Sequence, residues 1–384
     1  MIKNSGTSSE SMDARRMRAH NSAHVLKVVK KLGAVSRADI TRRTRLSPPT
    51  VSALVTNLLR AGLLEEHGEG TSSGGRKPQL VSFNARCGVV LGGNIGTTSA
   101  HLTLNDMNGE RISRERIQLT DTRPLALLKC LSAAIRRMVK AQGCAQIPLL
   151  AVVIGAPGMT DMRRGVVLEA ANLEGWENVP ARDLLRKALR VPVVVDNDVN
   201  LAAIGEHWRG GGRGIHNFVF ISLGTGIGAG ILIDDKIHRG HRWHAGEISH
   251  LNVDFEEWQT DFGAAGYLES YLGAMPRTGA RRALRRNSGE LDETAILRLG
   301  AAVANIATII DPELIILGGR VAATQPELIP AVHRVAARIA PNCPEIRVTE
   351  LGEDAALHGS VRVALDLANE SLHELLLDSA SAAA

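Results

Sequence analysis

Aromatic side chains are scarce, eleven in 384 residues, and none precedes Phe83. An N-terminal segment without them offers no stacking platform for single-stranded nucleic acid. Cysteine is scarcer: Cys87, Cys130, Cys144 and Cys343 lie far apart with no C-x-x-C spacing. That excludes a disulfide framework and a metal knuckle, and suits scattered thiols in a reducing compartment. No run approaches the roughly 18 uninterrupted apolar residues of a membrane span, so no membrane insertion is expected. The polar stretch from Ile2 to Ser11 lacks the apolar core of a secretory signal, and a cytoplasmic, soluble protein is the expectation. What is present is globular: 44% hydrophobic and 22% charged residues, in a length that suits about two to three domains.

Charge divides the chain. Residues 1–86 hold 15 Lys+Arg against 6 Asp+Glu, leaving 30 against 34 for residues 87–384, so a segment of +9 precedes a body of −4. A small basic unit on an acidic body calls for an anionic partner, with double-stranded DNA the leading candidate. Val25, Leu26, Val29 and Leu32 recur at helical spacing and stop at Gly33. Ser36 and Asp39 form an S-x-x-D capping box that opens a second helix carrying Arg37, Arg42 and Arg43. Ser47 can cap a third helix with Pro48 and Pro49 in its first turn, where their missing amide protons do no harm. Its apolar stripe is Val51, Leu54, Val55 and Leu58; its other face offers Thr50, Ser52, Asn57 and Arg60 to a major groove. Two short strands, Leu63–Glu66 and Gln79–Phe83, flank a Gly/Ser-rich tip ending in Gly-Gly-Arg-Lys-Pro. That is a wing, with Arg76 and Lys77 placed for a minor groove. The bland alternative is a three-helix bundle with a solvated basic linker.

The body repeats a strand–turn–strand unit. One runs through Gly88 to Leu104, with Asn94, Gly96 and Thr97 at its turn; a second spans Phe218–Ile233, with Gly224, Thr225 and Gly226. Glycine turns of this kind direct backbone amides inward and can hold a phosphate. Two related hairpins imply two related lobes. Between them, Val193–Asn200 reads as a buried strand delivering Asn197 and Asp198 at its end, where a kinase would place the base that takes a sugar hydroxyl proton. The chain from Asn305 to Gly319 reads as helix, strand and a glycine pair, Gly318 and Gly319.

In the order S-R-A-D-I, L-S-P-P-T-V-S, G-G-R-K-P, G-A-P-G, N-L-E-G-W, D-N-D-V-N, L-G-T-G-I-G-A-G, G-E-I-S-H and D-P-E-L-I-I-L-G-G, these motifs resemble the ROK family of repressors, open reading frames and kinases, in its transcriptional-regulator branch. The resemblance implies an α/β protein: an N-terminal winged helix-turn-helix, then a two-lobed actin-like (ribonuclease H-like) sugar kinase fold. It places a DNA-binding domain at 1–86, a first lobe at 87–198 and a second at 199–384, the C-terminal helix being able to pack back on the first lobe. It implies that Asn172, Asn197, Asp198, Glu247, His250 and Glu269 hold a sugar, with Asp198 the catalytic base in members that phosphorylate. It also makes the turn residues and Gly318 and Gly319 remnants of a nucleotide site.

Three departures shape the functional expectation. Asn94 stands where the family usually has the aspartate that holds magnesium through water, which argues against ATP turnover. The family's zinc signature survives only as Thr260-Asp261-Phe262-Gly263-Ala264-Ala265-Gly266-Tyr267-Leu268-Glu269, without its three cysteines. His250 alone cannot hold structural zinc, so no metal and no cofactor is expected, and Phe262 and Tyr267 are candidates to hold that loop by packing. Ser249 replaces the family's glycine beside the sugar. The expectation is a repressor of carbohydrate transport or catabolism genes whose kinase-like body senses a small sugar or sugar phosphate, acting as a homo-oligomer, dimer or tetramer, on a palindrome-like operator. The alternatives are a bifunctional sugar kinase that also binds DNA, and a DNA-binding protein whose body only dimerises.

Overall fold

The N-terminal helix is longer than its apolar period reveals. In the computed structural model, which describes residues 6–70, 77–141, 147–273 and 291–382, helix α1 spans Gly6–Leu32. Between Met17 and His24 only Ala19 is buried, so that stretch carries no apolar repeat by which a sequence reader could find it. Val25, Leu26 and Val29 are buried, and Gly33, at φ +76°, closes the helix. Strand β1 (Val35–Ser36) leads into α2 (Arg37–Thr44), where Ser36 and Asp39 complete the capping box. Helix α3 (Pro48–Arg60) is capped by Ser47 and buries Val51, Leu54, Val55 and Leu58, each side chain contributing about 1.5–3 kcal/mol. Strands β2 (Leu64–Glu69) and β3 (Gln79–Phe83) complete a small sheet of order β1-β3-β2, the topology of a winged helix. β2 runs three residues beyond the expected Glu66 because the ladder resumes, after a register shift, at Glu69 opposite Gln79.

The body contains the same sheet twice. β4 (Val89–Ile95), β5 (Ser99–Asp106) and β6 (Arg111–Gln118) form an antiparallel meander; β7 (Leu149–Ala156) and β11 (Val193–Asn197) add parallel to β4, in the order β11-β7-β4-β5-β6. In the second lobe β12 (Phe218–Leu223), β13 (Ile227–Ile233) and β14 (Lys236–His238) make the meander, and β15 (Leu314–Gly318) and β16 (Glu345–Val348) add parallel to β12. This duplication is the actin-like architecture. Central strands such as β7 are buried along almost their whole length, as parallel strands covered on both faces must be. A separate three-stranded sheet of β8 (Met159–Asp161), β9 (Val166–Glu169) and β10 (Glu177–Val179) follows the first lobe's fourth strand.

Helices α4 (Pro124–Ala141) and α5 (Ala181–Leu189) cover the first sheet; α7 (Gly266–Leu272), α8 (Glu293–Ile310), α9 (Arg320–Thr324) and α10 (Leu328–Ile339) surround the second. By length and composition α8 could cross a membrane. Eight of its residues are instead buried in the second lobe's core, which explains its apolar character.

Two helices tie the molecule together. α6 (Asp198–Arg209) and α11 (Ala355–Ala382) cross at backbone contact. A Cβ on Gly359 would lie 1.8 Å from the Leu201 carbonyl oxygen, and one on Gly205 would lie 2.1 Å from that of Ala355, so neither position accepts a larger residue without separating the helices. α11 also packs on the first sheet, where the Ser360 hydroxyl donates to Gly93 O at 3.0 Å. Further along, Lys30 of α1 donates to Asn369 at 2.8 Å and lies over the Phe83 ring. One continuous hydrophobic cluster therefore joins the winged helix, α6 and α11.

Candidate functional site

Between the lobes lies a cleft whose walls come from both duplicated hairpins. Gly96 and Thr97 of the β4–β5 turn, Asn172 after β9, Asn197 and Asp198 at the β11–α6 junction, Gly224, Thr225 and Gly226 of the β12–β13 turn, Glu247 and His250, and Glu269 of α7 all line it. Glycine is required where backbones meet: Gly246 has φ +92°, and a Cβ there would fall 1.9 Å from Ala229 O.

Asn197 is the N-cap of α6. Its Oδ1 accepts from Asn200 N at 2.9 Å, and its Nδ2 donates to Gly158 O at 2.9 Å, anchoring the G-A-P-G loop. This amide is partly committed to the scaffold. Asp198 opens α6, yet burial at the cleft floor pushes its carboxyl up to about 7, outweighing the anion-favouring helix terminus. Glu247 is likewise pushed up to about 7, first by burial and then by the charges of Asp198, Glu269 and Glu169. Glu269 accepts from the Ile227 backbone amide at 3.0 Å, fixing α7 to the second turn. Carboxyls raised in this way keep their protons to higher pH than free ones, and a protonated carboxyl can donate to a sugar hydroxyl as well as accept from one.

Five lining or supporting residues were not among the expected site residues. Asp196, fully buried, is bridged by Arg239: Nη2 lies 2.5 Å from Oδ2. This joins the end of β11 to the second-lobe loop that carries Trp243 and Glu247. Glu169, Asn200 and Trp243 also line the cleft, and the Asn200 Oδ1 is buried without a hydrogen-bond partner. The D-N-D-V-N motif held Asp196 and Asn200 in view; nothing local pointed to Arg239 or Trp243.

Other expected residues lie elsewhere. Asn94 does not line the cleft. Its Oδ1 is buried without a partner, 2.6 Å from where a Gly155 Cβ would sit. A neutral amide there does not fit the charge that magnesium needs. Gly318 and Gly319 are also outside the lining: Cβ atoms there would strike the Phe220 ring at 2.2 Å and Leu223 O at 2.5 Å, so packing demands glycine at both positions. In the segment matching the zinc signature, Phe262 meets Tyr267 edge-on at 5.3 Å, and Tyr271 joins them at 5.0 Å from Tyr267. Arg298 seals the cluster, donating to the Tyr267 hydroxyl at 2.6 Å and lying over Tyr271. Threonine, phenylalanine and tyrosine at the cysteine positions do not fit zinc.

On the winged helix, Ser52, Asn57 and Arg60 are exposed on α3. Thr50 is half-buried, its hydroxyl 2.8 Å from that of Ser47, so the cap engages it. Arg37 is half-buried, with its Nε buried and lacking a partner. Lys77 is exposed, 3.7 Å from Glu69; Arg76 lies outside the described residues.

The ROK family model matches residues 90–367 of this chain. The xylose repressor of Caldicellulosiruptor bescii is 31% identical over 332 residues, which cover 78% of this chain and 83% of the repressor. The crystal structure of a ROK family transcriptional regulator, a homologue of the E. coli MLC protein, superposes with a TM-score of 0.73 at 20% identity, over 94% of this chain and 99% of that one. A ROK family glucokinase from Streptomyces griseus, solved with glucose and AMPPNP, gives a TM-score of 0.58 at 26% identity, over 73% of this chain and 100% of the kinase. The regulator thus covers the chain almost end to end, whereas the family model begins beyond the winged helix.

Proposed function

The chain belongs to the ROK family, and from that we propose that it is a sugar-responsive, DNA-binding transcriptional repressor of carbohydrate genes. The observation that carries this is coverage: the likeness to a regulator of the same family extends over 94% of the chain, through a winged helix that the glucokinase lacks the length to match. Residues 1–86 bind the operator, with Ser52, Asn57 and Arg60 presented to the major groove and Arg76 and Lys77 to the minor groove. The interlobe cleft binds the effector, whose hydroxyls Asn172, Asp198, Glu247, His250 and Glu269 hold. The protein acts as a homo-oligomer on a two-fold site, without a metal or nucleotide.

Contiguity supports coupling. Asp198, in the cleft, begins α6; α6 crosses α11 at Gly205 and Gly359; α11 reaches α1 through Asn369 and Lys30. A sugar that prefers one arrangement of the lobes biases α1 only through its differential affinity for the two states. Fluorescence anisotropy on the operator beside the protein's own gene, with a panel of neutral sugars, tests this. Sugar-dependent release of DNA that Asp198→Ala abolishes, while basal DNA binding persists, is the expected result; an unaltered sugar response in Asp198→Ala overturns the assignment.

A bifunctional sugar kinase is the second reading, favoured by Asp198, whose carboxyl near 7 suits a general base. ADP release by the wild type, lost in Asp198→Ala, would promote it.

A further inference from the structure

Trp243 is the cleft residue that the fold does least to require. It lines the interlobe cleft but belongs to none of the three hydrophobic cores. Its backbone sits at φ +68°, a left-handed conformation that glycine adopts freely and a bulky side chain rarely does. A strained position persists only where the surroundings impose it. Here they do. Arg239, bridged to Asp196, fixes the start of the loop and accepts at its carbonyl oxygen from Ala245 N at 3.3 Å. Arg163, from the other lobe, lies over the indole at 5.9 Å. A half-buried indole held at this cost, away from any core, faces a ligand space instead.

The chemistry of that space is polar and anionic at its floor. Asp198, Glu169, Glu247 and Glu269 all line it, and the half-buried Arg239 at the base of the Trp243 loop is engaged by Asp196. His250 and Arg163 are exposed. A phosphate or carboxylate on the ligand would meet like charge, whereas neutral hydroxyls would find carboxyl and carboxylate oxygens to bond with.

Resting on the reading of the cleft as the effector site, we propose that Trp243 is a specificity-determining residue that stacks its indole on the C–H face of a neutral, unphosphorylated pyranose. Arg163 backs one face of the ring and the sugar takes the other, with its hydroxyls turned to the carboxylate floor. Stacking rewards a ring that presents contiguous C–H groups on one side, so Trp243 discriminates between sugars that the floor alone would accept.

The test uses the full-length protein, titrated calorimetrically with D-xylose, D-glucose and N-acetyl-D-glucosamine, and with glucose 6-phosphate. Trp243→Gly suits the left-handed backbone, so its melting temperature should equal or exceed that of the wild type while affinity for the neutral sugar falls about tenfold or more. Trp243→Phe, which keeps an aromatic face, should stay within about threefold. Sugar should change the wild type's tryptophan emission, and Trp243→Phe should abolish that change. Asp198→Ala separates the two claims. If Asp198→Ala loses the sugar but Trp243→Gly binds it as well as the wild type, stacking is overturned and the cleft stands. If both variants keep wild-type affinity, the cleft assignment itself falls. Tighter binding of glucose 6-phosphate than of every neutral sugar overturns the proposed ligand class.

Discussion

Replacing Asp198 by asparagine should make the protein more stable at alkaline pH while removing its response to sugar. Burial raises this carboxyl from 3.8 to about 7, so between those values the native state keeps a proton that the unfolded chain has lost. Stability therefore falls as pH rises through this window, since it rises with pH only where the unfolded state binds more protons. At about 1.4 kcal/mol per unit, an isolated group shifted this far would cost about 4 kcal/mol above pH 7. The Asp198 charge in turn raises Glu247, so the two carboxyls titrate together and on the order of 2 kcal/mol is assigned to Asp198 itself. A carboxamide in its place keeps the shape and drops the charge. Asp198→Asn should thus equal the wild type in urea unfolding near pH 4, exceed it by about 2 kcal/mol at pH 8, and melt a few degrees higher there. A variant less stable than the wild type at pH 8, or one with an unchanged slope of stability against pH, would show that Asp198 is ionised and well satisfied in the native cleft.

Arg239→Ala should destabilise the protein by about 3–5 kcal/mol, because it strands the buried Asp196 carboxylate; urea unfolding within about 1 kcal/mol of the wild type would contradict this. Operator affinity should fall linearly with the logarithm of salt, by about 0.9 in log K per phosphate contacted, and should vanish when residues 1–86 are removed; a gel shift by the fragment 87–384 would refute it. Elemental analysis of the purified protein should find no stoichiometric zinc, and Phe262→Ala should loosen the aromatic cluster, read as a lower melting temperature; about one zinc per chain would overturn the first claim.

The capped helices, the wing and the paired hairpins were legible from the amino acids because their signals are local. Ser36 and Asp39 meet three residues apart, Pro48 and Pro49 follow Ser47, and the apolar stripe of α3 returns every three or four positions. The glycines at Gly96 and Gly226 announce turns that a larger residue would crowd. The cleft-lining set from Asn172 to Glu269 was also in view, carried by motifs whose order identified the family. Packing adds demands that motif order does not carry: Gly318 and Gly319 leave room for Phe220 and Leu223, and the Asn94 carbonyl lies against Gly155, outside the cleft lining.

What sequence order could not supply is any interaction whose partners are far apart along the chain. Asp196 and Arg239 become one buried ion pair only once β11 and the loop after β14 converge. Gly205 and Gly359 acquire meaning only when α6 and α11 cross, and Lys30 finds Asn369 only because α11 returns to the winged helix. Trp243 looks like an ordinary loop aromatic until its left-handed backbone and its place in the cleft are known. Composition, caps and periodicity report on the few residues around a position; desolvation, charge coupling and steric approach depend on what folding brings beside it. For that reason the amino acids alone determined the capped helices, the wing strands, the glycine hairpins and the family of this protein, while the raised carboxyls of Asp198 and Glu247, the lobe-spanning bridge and the path from cleft to winged helix were decided only by tertiary structure.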